Sequence, residues 1–243
     1  MPEQLWITEL LNRFFAGPAN AVLGLLHIQA KYPQAPIDNT FAMEFLVFVL
    51  LMSFFLLVRA SFSVDRPGAL QHIVESAEGF IQNQSHDIIG HGSEGFTPFL
   101  VVLGLFILVC NLIGLVPGFE SPTASGTVTL GCALVAWFYY QTHAVRRHGA
   151  GYLKHFAGPV WWLAPLMFPI EIISHLARMM SLTIRLYANM FAGDMVTLVF
   201  FSLVPIGLPV LFLGMHMAVS VLQTYIFVLL TTIYLAGAVA EAH

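Results

Sequence analysis

Apolar runs fill most of the chain, and short polar breaks separate them. Residues 41–58 are apolar except for Glu44. Residues 98–117 and 126–142 carry no charge, and 160–204 and 208–240 are long apolar stretches parted at Pro205, Gly207 and Pro209. About 20 apolar residues cross a bilayer core, so each of the first three runs predicts one span. The stretch 160–204 is too long to run straight across a core of about 30 Å at 1.5 Å per residue. It holds two segments or forms one long, steeply tilted helix. Pro159, Pro165 and Pro169 place the start of a continuous helix near Pro169, because proline suits a first turn.

Two further segments are amphipathic. Trp6, Leu10 and Phe14, with Leu11 and Phe15 alongside, recur at helical spacing and predict a short interfacial helix before the breaks at Pro33 and Pro36. Over 67–90, Leu70, Ile73, Val74, Ala77, Phe80 and Ile81 form one stripe, with Gln71, Glu75, Glu78 and Gln82 elsewhere, as in a helix lying on the membrane or on a partner. The chain therefore divides into an outer-face segment, 1–38, and a single membrane domain, 39–243. The fold class is an all-α polytopic membrane protein. It has about five membrane helices near 41–58, 98–117, 126–142, 169–204 and 208–240, the last two forming a tilted antiparallel hairpin, plus the surface amphipathic helix. Arg59, Arg66, Arg146, Arg147 and Lys154 flank spans one and three, while the 117–125 loop has no Lys or Arg. The positive-inside rule then puts the N-terminus outside and the C-terminus in the cytoplasm. The aromatic run Trp137 to Tyr140 reads as an interfacial belt.

Composition agrees. Of 243 residues, 58% are hydrophobic and 9% charged, too few charges to cover a soluble globule. A disordered chain and a nucleic-acid binder with its basic stripe are excluded as well. Cys110 and Cys132 fall inside apolar runs and read as buried hydrophobes. Glu3 and Glu9 stand where a signal peptide would be basic, so no cleaved leader is expected.

The chemistry lies in the C-terminal third. Glu171, His175, Arg178, Arg185, Asp194 and His216 are ionisable groups within apolar helix, and each charge at mid-bilayer costs about 2.5–3.5 kcal/mol. Glu171, Arg178 and Arg185 are seven apart, Asn189 follows one turn later, and Ser174 and Ser181 lie between, so one polar stripe runs along the helix. At helical rise Asp194 lies about 13 Å beyond Arg185 and Glu171 about 21 Å before it. His216, Ser220 and Gln223 form a second stripe, and antiparallel packing would bring His216 to Asp194 and Gln223 to Arg185. Blander readings stand beside these. Arg178 can snorkel, Glu171 and His175 can be interfacial, Asp194 and His216 can be an internal polar pair, and Ser181 and Ser220 can be packing residues. Glu44 reads as facing water near the outer end of span one. No HExxH, GxSxG or phosphate loop is present, and the deep histidines His175 and His216 do not match in depth as haem ligands would.

The segment 169–194 (PIEIISHLARMMSLTIRLYANMFAGD) resembles subunit a of F-type ATP synthases, the stator of the membrane proton turbine. The motif R-L-x-x-N-M-x-A-G-[DEH], Arg185 to Asp194, is close to that family's signature. NLIGLVPG (111–118), SPTASGTVTL (121–130) and LQTYIFVLLTTIYL (222–235) resemble it too, and the likeness runs in order along nearly the whole chain. The resemblance implies a proton-translocating subunit with two offset half-channels and no active site, cofactor, metal or nucleotide of its own. Arg185 would face the carboxylates of the rotating c-ring. Asn189 would be the polar residue one turn on, Asp194 and His216 the inlet pair, Gln223 the glutamine opposite the arginine, and Glu171 the acidic group at the cytoplasmic outlet. Arg178, Ser181, His175 and Ser220 are secondary candidates. The implied partners are the c-ring, b-type peripheral stalk subunits and the rest of the synthase, in a bacterial inner membrane. Met179 stands where many relatives have proline, which puts a local bend in doubt. The alternative is a stand-alone secondary ion transporter or channel.

Overall fold

A computed structural model describes residues 4–25, 32–61, 68–116, 118–149, 164–203 and 207–239. Among them are seven α-helices, two short 3-10 turns and no strand. The helices are α1 (Trp6–Leu25), α2 (Asn39–Ser61), α3 (Ala69–Ile89), α4 (Thr97–Ile113), α5 (Gly126–His148), α6 (Ala164–Leu203) and α7 (Leu208–Val239). Arg66, Lys154, Pro159 and Pro205, and the ends of the expected spans at 160–163, 204 and 240, lie outside the described residues.

Three helices are long and apolar enough to cross a membrane: α2, α6 and α7. The 17-residue α4 is apolar but shorter. The chain is thus an all-α polytopic membrane protein. In α5 the apolar character stops at Tyr140, after which Gln141, His143, Arg146 and Arg147 follow. It packs against α6 and α7 but is not among the helices apolar enough to be counted as a crossing. The described part of the stretch 160–204, residues 164–203, is one helix. α6 is 40 residues long and unbroken, about 60 Å at helical rise. Against a core of about 30 Å it must slant steeply or project. It starts at Ala164, earlier than the expected Pro169. Pro165 lies in the first turn, where its missing N–H costs nothing, and Pro169 is carried inside the helix. Met179 sits in the unbroken part, its carbonyl accepting from Thr183 Oγ1 at 2.9 Å.

The N-terminal helix is longer than expected, 20 residues. Its bulky stripe faces outward, with Trp6 and Phe14 largely exposed, while Ile7, Thr8 and Asn12 face in. Asn12 fixes that face by donating to the Ile37 carbonyl and accepting from the Ile37 N–H, each at 3.0 Å. Asp38 caps α2 by accepting from the Phe41 N–H at 2.9 Å. α3 packs on α4 and α7 as well as α2. Its inward face carries Gln71 and Ser85, whereas Ile73 and Phe80 of the expected stripe are exposed. Gln84 Nε2 donates to the Tyr225 hydroxyl at 2.8 Å, tying α3 to the middle of α7.

The main core joins α4, α5, α6 and α7 through Leu103, Ile107, Ala133, Ala136, Leu186 and Phe227. The aromatic run of α5 is no belt. Successive helix positions turn by about 100°, so Phe138 points out, Tyr140 is buried and Tyr139 stacks on Phe99 with centroids 3.7 Å apart. The loop before α5 folds back so closely that a Cβ on Gly114 would stand 2.7 Å from Ser121 Cβ. That fold-back buries the 3-10 turn Pro122–Ala124 among the helices.

Candidate functional site

The polar groups of α6 and α7 form an ordered series along their shared seam. Asp194 and His216 meet at one end, with Oδ1 and Nδ1 3.7 Å apart. The histidine side chain is 1% exposed and the carboxylate 30%, so this acid reaches the surface while its partner stays inside. His216 Nε2 is buried and has no hydrogen-bond partner. The packing is tight here, because Gly193 brings its backbone against the imidazole. A Cβ at that position would lie 2.8 Å from Cδ2 and 2.9 Å from Nε2.

One turn further, Asn189 Nδ2 donates to Gln223 Oε1 at 2.6 Å. This differs from the expected meeting of Gln223 with Arg185: the 1% exposed glutamine answers the amide one turn on. Arg185 Nη2 donates to Ser181 Oγ at 3.5 Å, and both residues are exposed. Ser220, fully buried, donates to the Met190 sulfur at 3.7 Å. Around Arg185 the outer face of α6 is apolar: Met180, Ile184, Phe191 and Met195 are all substantially exposed. Only 11% of the most apolar window of α6 is buried in the chain. A fixed charge on such a face is costly in lipid, so it needs a polar partner or water from outside this chain.

The far end of α6 has its own cluster. Glu171 Oε1 lies 3.4 Å from His175 Nε2, and His175 Nδ1 lies 3.4 Å from the Tyr140 hydroxyl. The Arg178 guanidinium sits over the Tyr234 ring, 5.5 Å from its centroid. Arg178 is thus held by an aromatic face of α7, a cation–π contact worth about 0.5–2 kcal/mol, and does not snorkel free.

Behind the seam lies a polar network that the sequence reading missed. Asn111 of α4 is fully buried. It donates to the Ser220 carbonyl at 3.2 Å and to Thr224 Oγ1 at 3.1 Å, and accepts from Thr123 Oγ1 at 2.6 Å. Ser121 Oγ donates to the Cys110 carbonyl at 2.9 Å and lies 2.9 Å from Thr123 Oγ1. The network fixes α4 and the buried turn against α7 between His216 and Gln223. Its signal was available, since Asn111 is the one amide in the apolar run of α4. Among the described residues no group of three or more His, Cys, Asp or Glu could hold a metal ion.

Comparison with known proteins follows the same residues. The family model for the ATP synthase A chain matches residues 41–236, a range that holds every residue of the seam. A Koribacter versatilis protein named ATP synthase subunit a is 60% identical over the whole length of both chains. A Solibacter usitatus protein of that name is 48% identical, covering 96% of this chain and all of its own. One from Pelobacter propionicus is 42% identical over 82% of this chain and 86% of its own. With its long helix pair and the seam between them inside the matched range, this multi-pass membrane chain belongs to the ATP synthase subunit a family.

Proposed function

We propose that this chain is the proton-translocating stator subunit of an ATP synthase membrane sector, with no catalytic site of its own. The observation that carries the reading is the exposed Arg185 guanidinium, flanked by exposed Ser181 and Asn189 as a polar stripe on a helix whose outer face is mostly apolar. Such a face suits a rotating ring of c-subunits whose carboxylates pass the arginine one at a time. The identity with proteins named ATP synthase subunit a supports it.

The resemblance implies two offset half-channels, and the order Asp194, Arg185, Glu171 along α6 fits them. A proton enters from outside at the Asp194 and His216 pair and neutralises a ring carboxylate. The neutral carboxyl can turn through lipid; the charged one cannot, because a charge in hydrocarbon costs several kcal/mol. On completing the turn it meets Arg185, whose positive charge favours the ionised form and releases the proton toward Glu171. Arginine suits the place because it stays charged when buried, where lysine loses its proton. The same charge blocks a direct leak from Asp194 to Glu171. Each proton crossing 100 mV delivers about 2.3 kcal/mol. Asn189 and Gln223 stand between inlet and arginine. Arg178, Ser181, His175 and Ser220 support the stripe. The orientation is N-terminus outside and C-terminus cytoplasmic in a bacterial inner membrane, with α5 as the fifth crossing and b-type stalk subunits holding the chain still.

The test is Arg185→Ala in the assembled complex. Coupled ATP synthesis and ATP-driven proton pumping should both disappear while the complex still purifies with all its subunits. Synthesis at the normal rate would refute the assignment.

A further inference from the structure

Away from the seam, a cleft opens between α2, α4 and α5. Its volume is about 710 Å³, and its walls include Phe48 and Phe55 from α2, Phe99 and Phe106 from α4, and Val135 from α5. Glu44 is the one ionisable residue in this lining apart from the thiol of Cys132. Among the described residues no hydrogen bond or ion pair is recorded for its carboxylate, which is neither fully buried nor free in water. The residue lies five positions into α2, about 8 Å along the helix from its start. The nearest acidic neighbour, Asp38, caps the same helix and adds a second negative charge at that end. The basic residue of α2, Arg59, is at the opposite end.

An unanswered carboxylate among aromatic rings attracts one kind of group. Ring faces and a carboxylate together recognise an ammonium ion, and a charge near hydrocarbon is costly until it is paired. The rest of the cleft is apolar and follows α2 from Phe41 down to Phe55, about 21 Å of helix, a path suited to an alkyl chain. We infer that this cleft holds a membrane phospholipid with an ammonium headgroup, its ammonium on Glu44 and an acyl chain between the phenylalanines. The inference is independent of the proton pathway and of which side of the membrane α2 begins on.

The probe is phosphatidylethanolamine with a photoreactive acyl chain, compared with phosphatidylglycerol carrying the same chain. Both are presented in mixed vesicles to the intact complex. The ethanolamine lipid should label α2 or α4 peptides of the native chain. Labelling should fall about fivefold in Glu44→Gln and recover in Glu44→Asp, the scale of one desolvated ammonium contact. Phe48→Ala, which leaves the carboxylate alone, should lower it too and covers the case in which Glu44→Gln fails to assemble. Equal labelling by the two lipids, or unchanged labelling in both Glu44→Gln and Phe48→Ala, overturns the inference. So does capture of another polypeptide of the complex, rather than lipid, by a photoreactive residue placed at Val135.

Discussion

Gly193 offers the sharpest test of how α6 and α7 set the inlet pair. An alanine methyl would stand 2.8 Å from His216 Cδ2, 2.9 Å from Nε2 and 3.1 Å from Cε1. His216 is buried, its side chain 1% exposed. Forcing a methyl into such packing costs about 1–3 kcal/mol. Against this, alanine is a better helix former than glycine by about 1 kcal/mol. The net effect of Gly193→Ala is a loss of up to about 2 kcal/mol, with the imidazole pushed out of its alignment with Asp194. In a His216→Ala background the obstacle is gone, and the same substitution should stabilise by about 1 kcal/mol. The effect therefore changes sign, and the double-mutant cycle isolates the contact. The buried thiols Cys110 and Cys132 supply the readout: in a purified complex with a thiol-reactive dye, the temperature at which they become reactive reports opening of the bundle. Proton-driven ATP synthesis should fall with Gly193→Ala alone. The same sign of shift in both backgrounds, or full synthesis by Gly193→Ala, would refute the packing argument.

Two further outcomes are expected. Asn111→Ala removes three hydrogen bonds between α4, the buried turn and α7, each worth about 0.6 kcal/mol in a membrane. It should cost about 2 kcal/mol in the thiol-exposure assay, and Thr123→Val about a third of that. Asn189→Leu and Gln223→Leu should each depress synthesis, and the double variant should be no worse than the more severe single, because both remove the same 2.6 Å bond. Strictly additive losses would separate the two amides.

Helix positions were legible where hydropathy and spacing agree, as in α2, α4 and α7, and the meeting of Asp194 with His216 followed from counting residues along an antiparallel pair. The reading failed where contact direction decides. Four consecutive aromatic residues in α5 look like a belt in sequence but face four ways on a helix. On α3, Ile73 and Phe80 of the counted stripe stay exposed, as a face laid on a membrane or a partner would, but the inward turn of Gln71 and Ser85 toward α4 and α7 was not foreseen. Gln223 was set near Arg185 because intervals of nine and seven residues agree roughly, and its hydrogen bond is with Asn189, one turn on. The Asn111 network went unnoticed because uncharged amides and hydroxyls scarcely alter the hydropathy of an apolar run, although their geometry ties α4, the buried turn and α7 together. Arg185 stood out because a charge there has no local answer.

The continuity of α6 has a consequence for which changes this chain can accept. A single helix from Ala164 to Leu203 acts as a ruler whose marks are 1.5 Å and 100° apart. Exchanging a side chain leaves every mark in place. Adding or deleting one residue between Arg178 and Asp194 leaves the hydropathy untouched, yet swings everything downstream by more than a quarter turn and drives the acidic group off the seam. Length, more than composition, is what this stretch must preserve, and a frame change of three or four residues, close to a whole turn, would be the mildest way to break it.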